Sequence, residues 1–303
     1  MKVSVLIPTY NSQKYLRECL ESVVMQDLAT MEILISDDGS TDGTLEVIKS
    51  HALRDARITW WQNPKNLGFF RNHNYCLQRA EGDYIKFVHP DDKLLSPHAI
   101  RKMAEVLDQH PGVVMVGGEQ HLTGTKSRPT VFSGRSGVYD GRRMMVACWE
   151  QNTNLIGQLS LVLFRRQAAG RGFDERFIGH MDYEFSFHLL EQGDFYYIAE
   201  PLATWRVHET QQTARLNQDG TAAREHLQFL ESYFGKPWVK QAATARMLFT
   251  QIHYLEKKYG KSASHLTAAM RSQLSPGQFA REWLRHSIAR PIQKLKRKAA
   301  RRG

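Results

Sequence analysis

The chain opens on an apolar, partly β-branched run, Val3 to Pro8, which predicts a short buried strand closed by proline. Asn11 or Ser12 can then cap a helix, because apolar residues recur at spacing three and four through Tyr15, Leu16, Cys19, Leu20, Val23 and Val24. Glu32 to Ser36 predicts a second strand. It runs into Asp37-Asp38-Gly39-Ser40-Thr41-Asp42, a loop by composition that supplies caps for a helix over 44–50. A third strand is expected over 58–61, a helix over 72–79, and a fourth strand over 84–88 that ends at His89-Pro90-Asp91-Asp92. Strand and helix alternating through short loops predict an α/β fold with a parallel sheet. Ligands of such sheets bind beyond the strand C-termini, where Thr9 to Ser12, Asp37 to Asp42 and His89 to Asp92 all fall.

Further on the pattern loosens. Val113 to Val116 is another apolar run, 124–141 is irregular and polar, Leu159 to Phe164 is strand-like, and Met181 to Gln192 reads as a helix. After about Gln211 the pattern is helical to the end, which places a soft boundary near 215 between 1–215 and 216–303. No internal repeat is visible.

Composition narrows the class. At 42% hydrophobic and 24% charged, the 303 residues suit a globular protein with ample length for a core. Cys19, Cys76 and Cys148 lie far apart without a C-x-x-C pair. That excludes a disulfide scaffold and a cysteine-rich zinc site, and suits a reducing cytoplasm. The first apolar run is too short for a signal-peptide core, and no apolar stretch approaches the roughly 18 residues of a membrane span. There is no dinucleotide-binding G-x-G-x-x-G, P-loop, G-x-S-x-G or H-E-x-x-H signature. The net charge of +10 is uneven: nine Lys/Arg and one acid fall in 281–303, and the rest of the chain carries only +2.

The chemistry concentrates in the acidic loops. Asp38 and Asp91 follow two strands of one parallel sheet, so both are expected to project into one cleft. Converging carboxylates repel unless a proton or a cation neutralises them. Mg²⁺ or Mn²⁺, held by one or two carboxylates and by substrate phosphates, fits that arrangement. Asp-Gly and Asp-Asp pairs are also ordinary turn formers, and that alternative stays open for each pair taken singly.

Order and wording add a resemblance. Val3-Ser4-Val5-Leu6-Ile7-Pro8-Thr9-Tyr10-Asn11, Ile35-Ser36-Asp37-Asp38-Gly39-Ser40-Thr41-Asp42, Asn66-Leu67-Gly68 with Arg71-Asn72, Glu81 through Asp92, and Gly172-Phe173-Asp174-Glu175 with His180-Met181-Asp182-Tyr183-Glu184 resemble, in that order, segments of the family 2 glycosyltransferases. The resemblance implies a GT-A fold: a Rossmann-like, mostly parallel sheet with flanking helices, here followed by a helical C-terminal region. It implies that Pro8, Thr9, Tyr10 and Asn11 line a nucleotide pocket and that Asp38 accepts hydrogen bonds from the base, typically uracil. Arg71 would sit near the base or the diphosphate, Asp91 would ligate the metal and Asp182 would be the general base. The family's acidic motif commonly reads Asp-x-Asp; here its first acid is His89, and an imidazole can also ligate a transition metal. Met181 stands where the family often has a further acid. Trp205-Arg206-Val207-His208-Glu209 resembles a segment that closes the donor site, so His208 is a third candidate metal ligand and Arg206 a candidate for the diphosphate; a solvated loop histidine and a surface arginine are the plain alternatives.

The expected activity is therefore inverting, metal-dependent transfer of a hexose or N-acetylhexosamine from a nucleotide-sugar, a UDP-sugar first. The acceptor is expected to be a saccharide or lipid-linked saccharide of a surface glycan. The competing reading is a catalytically silent nucleotide-sugar-binding protein or a membrane-associated assembly subunit. Within 281–303, Leu284, Ile288, Ile292, Leu295 and Ala299 recur at helical spacing among basic residues, with Pro291 marking a break. Such a segment fits the anionic inner face of a cytoplasmic membrane, or is simply a solvated basic end. Nucleic acid is disfavoured, since charge is the only feature that speaks for it.

Overall fold

The computed structural model describes residues 2–124, 134–208 and 221–289. These fall into two compact units: the described residues of Met1–Met144 with Asn154–His226, and those of Met145–Thr153 with Leu227–Gly303.

The first unit is built on a sheet of eight strands among the described residues: β1 (Val3–Thr9), β2 (Met31–Asp37), β3 (Ile58–Gln62), β4 (Tyr84–Phe87), β5 (Val113–Gly124), β6 (Gly137–Tyr139), β7 (Val162–Arg165) and β8 (Asp194–Val207). Their order is β3-β2-β1-β4-β7-β5-β8-β6. The run β3-β2-β1-β4 is parallel throughout. β7 pairs antiparallel with β4 and β5, β5 is parallel to β8, and β6 lies antiparallel on β8. All seven residues of β1 are buried, as expected of a central strand covered on both faces. Val3, Val5 and Ile7 pack under helices α1 (Gln13–Val24), α2 (Thr44–Ala52) and α4 (Ala99–Gln109), meeting Leu16, Leu20, Ile48 and Met103. Near α3 (Phe69–Arg79) and α6 (Met181–Leu190), rings pack edge to face or tilted: Phe87 on Phe173 at 5.4 Å and Phe173 on Phe185 at 4.1 Å. Gly82 admits the chain into β4, where a Cβ would come within 2.6 Å of the Ser4 nitrogen.

Several elements differ from the sequence reading. The helix expected from Asn72 begins at Phe69, because Gly68 at φ 86° turns the chain into it. Leu159–Leu161 is a 3₁₀ turn, not strand; Leu161 N bonds Gln158 O at 2.8 Å, and pairing starts at Val162. The stretch read as irregular over 124–141 contains β6. β8 was not among the expected strands; it carries Pro201, a residue strands tolerate at bulges, where the register against β5 shifts between Gly118 and Glu119.

The second unit is helical. It contains α5 (Gly141–Gln151) from Met145 on and α7 (Thr221–Phe234) from Leu227 on, then α8 (Pro237–Ala242), α9 (Ala245–Tyr259), α10 (Ser264–Arg271) and α11 (Pro276–Leu284), followed by a π-helical turn over Arg285–Ala289. Trp149, buried, packs on Tyr233 and Phe234 at 6.0 and 5.3 Å, and its carbonyl accepts from Gln251 Nε2 at 2.7 Å. Among the described residues no helix is long and apolar enough to cross a membrane. The basic residues from Arg290 on lie outside the described residues.

Candidate active site

Parallel pairing lines up the ends of β2, β1 and β4, so the three polar loops emerge side by side. Asp38 N donates to Thr9 O at 2.9 Å, joining the first two. Asn11, at φ 46°, continues the staple: its Oδ1 accepts from Thr41 N and its N–H donates to Ser40 Oγ, both at 2.8 Å. Pro8 and Thr9 are buried in the end of β1, and Tyr10 and Asn11 are exposed beyond them. Only the latter two of that quartet reach solvent.

Asp38 is buried and its carboxylate is already well supplied. It accepts from Leu67 N at 2.8 Å, Gly68 N at 2.9 Å and Asn63 Nδ2 at 2.9 Å. A carboxylate offers about four acceptor sites, so roughly one is left for a ligand. Asp38 thus ties the second motif to the third. Asn72 does similar work, bridging Ser36 and Asn63 beneath the loops. Arg71 stands on the first turn of α3, largely exposed, in a loose ion pair with Glu175 at 3.5 Å. It belongs to none of the buried contacts around the acidic loops.

The Asp-Asp pair after β4 divides. Asp92 points inward, fully buried, and accepts from Arg206 N at 2.9 Å. Burial, then the charge of Asp91, push its carboxyl up to about 8, against hydrogen bonds from Ser160 and the Arg206 backbone. Asp91 points outward, and its Oδ2 lies 3.0 Å from His208 Nε2, just past the end of β8. Arg206 fixes the crossing: its Nε donates to Asp91 O at 2.9 Å, its Nη2 to Glu18 Oε2 at 2.9 Å, and its guanidinium lies 4.7 Å over the Tyr15 ring. Hydrogen bonds from Arg206 and then Lys93 hold Glu18 below its usual range.

His89 makes contacts of its own. A candidate ligand beside Asp91, it has its Nε2 3.2 Å from His73 Nε2, and its backbone N–H donates to Ser160 Oγ at 3.0 Å. His73 is buried and pushed down to about 3, first by desolvation, then by His89. Its Nδ1 bonds Phe69 O at 2.7 Å, which puts the His73 proton on Nδ1 and leaves Nε2 to accept from His89. Among the described residues no group of three His, Cys, Asp or Glu gathers for a metal. Asp91 and His208 remain a fitting pair: two donors at right angles and about 2.1 Å from one ion stand about 3.0 Å apart.

Asp182 occupies the first turn of α6. Burial raises its carboxyl, opposed by the charge of His89, and it also raises Asp92, so all three share one electrostatic neighbourhood. The turn before it is clamped by Glu225, a buried carboxylate that accepts from Gly179 N at 2.5 Å and from the amides of Ile178 and His180.

Sequence reasoning missed Lys86, Ser160, His73 and Glu225. Lys86 had a signal: a lysine within a strand too apolar to reach water must find acceptors. Its Nζ donates to Ser160 O and, at 3.2 Å, to Val162 O. Glu225 had none, since its partners are amides 45 or more residues away.

The glycosyl transferase family 2 model matches residues 4–172, more than half of the chain. A putative glycosyltransferase of Bacillus subtilis, EpsE, is 38% identical over 117 residues, which is 38% of this chain and 42% of EpsE. A GalNAc(5)-diNAcBac-PP-undecaprenol β-1,3-glucosyltransferase of Campylobacter jejuni is 38% identical over 96 residues, 31% of each chain. The chain thus spans less than half the length of either relative. Residues 1–349 of Staphylococcus aureus TarS, solved with UDP-GlcNAc, superpose with a TM-score of 0.61 at 18% identity, covering 84% of this chain and 81% of that one; this is a likeness of fold. On the family match, supported by the order of motifs and by the fold, this chain belongs to glycosyl transferase family 2.

Proposed function

We propose that the chain moves a sugar from a UDP-sugar to a hydroxyl of a saccharide or lipid-linked saccharide in surface glycan assembly, with inversion. The lipid-linked form of the acceptor sets the reaction at the inner face of the cytoplasmic membrane. The observation that carries this reading is the meeting of Asp91 and His208 beyond the ends of β4 and β8, with the charge of Asp182 felt at the neighbouring Asp92. Similarity to a transferase that acts on an undecaprenol-linked saccharide, and a fold shared with a protein solved with UDP-GlcNAc, support the donor and acceptor classes.

Tyr10 and Asn11 flank the nucleotide, and Asp38 has acceptor capacity left for its base. Asp91 and His208 would hold Mn²⁺ or Mg²⁺, which neutralises the charge that develops on the departing diphosphate. Asp182 takes the proton of the acceptor hydroxyl as the new bond forms. Proton transfer to a positioned base is worth about 10²–10⁴ in rate, and the raised pKa makes Asp182 the stronger base. One base acting on the face opposite the leaving group requires no covalent intermediate, which is the inverting course.

Calorimetric titration with UDP, with and without Mn²⁺, tests the site. Binding is expected to need the metal and to weaken at least about tenfold in Asp91→Ala and in His208→Ala, as for loss of one charged contact. Equal UDP affinity in the wild type and both variants would overturn the assignment.

A further inference from the structure

Asp182 stands in the first turn of α6, the part of a helix that its own hydrogen bonds hold least. The body of α6 is well fixed. Phe185 packs on Phe173 at 4.1 Å and on Phe164 at 5.3 Å, and Glu184 Oε1 accepts from Arg171 Nη2 at 2.6 Å. Those contacts act from Glu184 on. The entry has less support of its own, since His180 at the N-cap makes no side-chain cap bond.

What holds the entry comes from α7. The buried carboxylate of Glu225 accepts from Gly179 N at 2.5 Å and from the amides of Ile178 and His180, so successive N–H groups converge on one anion. The next residue, His226, has its Nδ1 3.1 Å from His180 Nε2, with the rings 5.0 Å apart and tilted by 42°. Adjacent residues of α7 therefore hold both the backbone and the ring of the residue from which α6 starts. His180 O takes the first bond of the helix, from Glu184 N at 2.8 Å, and Asp182 lies between the two. Water reaches this turn at Ile178, 37% exposed, and would satisfy loose amides at lower cost than a buried carboxylate. A carboxylate shared by those amides instead permits one arrangement of the turn.

We propose that Glu225 and His226 are positioning residues for sugar transfer, holding the turn over 178–180 so that Asp182 meets the acceptor hydroxyl. The proposal rests on the reading of Asp182 as the general base. A displacement of about 1 Å at a reacting group can cost about 10²-fold in rate, which sets the scale of the effect.

The test is hydrolysis of UDP-GlcNAc, with kcat counted per UDP-binding site from calorimetric stoichiometry, in the wild type, Glu225→Ala, Asp182→Asn and the double variant. Glu225→Ala is expected to lower kcat about 10–100-fold while donor KM and UDP affinity stay within about twofold. Glu225→Gln, which keeps an acceptor oxygen, should recover most of the loss, and His226→Ala should lower kcat about tenfold. In the Asp182→Asn background Glu225→Ala should lower kcat no further, because it acts through the base. If Glu225→Ala yields no UDP-binding protein, the same cycle is run with His226→Ala. Unchanged kcat in the clamp variants, a loss that repeats in the Asp182→Asn background, or a parallel rise in KM would overturn the proposal and leave the base in place. Unchanged kcat in Asp182→Asn would remove the base and the proposal with it.

Discussion

Lys86 is the most consequential buried charge in the sheet, and its energetics are open to measurement. It is fully buried in β4, with Nζ on the carbonyls of Ser160 and Val162. Burial pushes it down to about 7 from the ordinary 10.5, with Asp92 pulling the other way. The unfolded chain keeps the proton up to about 10.5, so between about 7 and 10.5 it binds more protons than the folded chain. Stability therefore gains about 1.4 kcal/mol per pH unit across that window and loses the same as pH falls back toward 7. Lys86→Met removes the titration. It also leaves two carbonyls short of a donor, at about 1–3 kcal/mol, but that offset does not vary with pH. Comparing the two proteins at about pH 9 and about pH 10.5, a unit or more above the value of about 8 at Asp92, isolates the lysine. The wild type should gain about 2 kcal/mol on the variant over that interval, seen as a widening of about 4–8 °C in the difference of melting temperatures. A difference that stays constant with pH would show that Lys86 keeps its proton in the folded state, and the account of its burial would be refuted.

Two further predictions concern α6. Asp182→Asn should lower kcat for sugar transfer, or for slow donor hydrolysis, by about 10²–10⁴ while UDP affinity changes less than about twofold; parallel loss of both would assign Asp182 to donor binding. Glu225→Ala should cost about 1–3 kcal/mol of stability by leaving the amides of residues 178–180 without their acceptor, with Glu225→Gln recovering part of it. Equal melting temperatures of the wild type and both variants would show that the clamp contributes nothing.

The parallel half of the fold was legible because each of its strands is a short apolar run followed by a turn and a periodic helix. β1 and β2 match their sequence bounds to within a residue at either end. Beyond β5 only β7 was read in part, as the end of the strand-like 159–164 run, and β6 and β8 were not. β8 carries a proline, and only its bulge against β5 makes that tolerable. Periodicity within a segment cannot report such a pairing. In the site, position was legible but orientation was not. Asp91 could be placed beyond the end of β4 from the strand before it. That His208 meets it, and that His89 turns instead to His73, depend on where β8 and α3 cross the loop.

Asp91 and Asp92 show why one motif serves two ends. The pair closes a turn in which Asp92 N donates to His89 O at 3.0 Å, and from that turn one carboxylate points outward and one inward. The inward one, Asp92, takes Arg206 N and Ser160, and Ser160 in turn holds His89 N and receives Lys86 at its carbonyl. The outward one is thereby fixed through its own backbone, since Arg206 Nε also binds Asp91 O. An apolar residue at 92 would still fill the core, but it would release the β8 end and with it His208. On this argument the buried acid is kept for the position it gives the exposed one, and a loss at 92 should weaken metal-dependent UDP binding without touching any ligand.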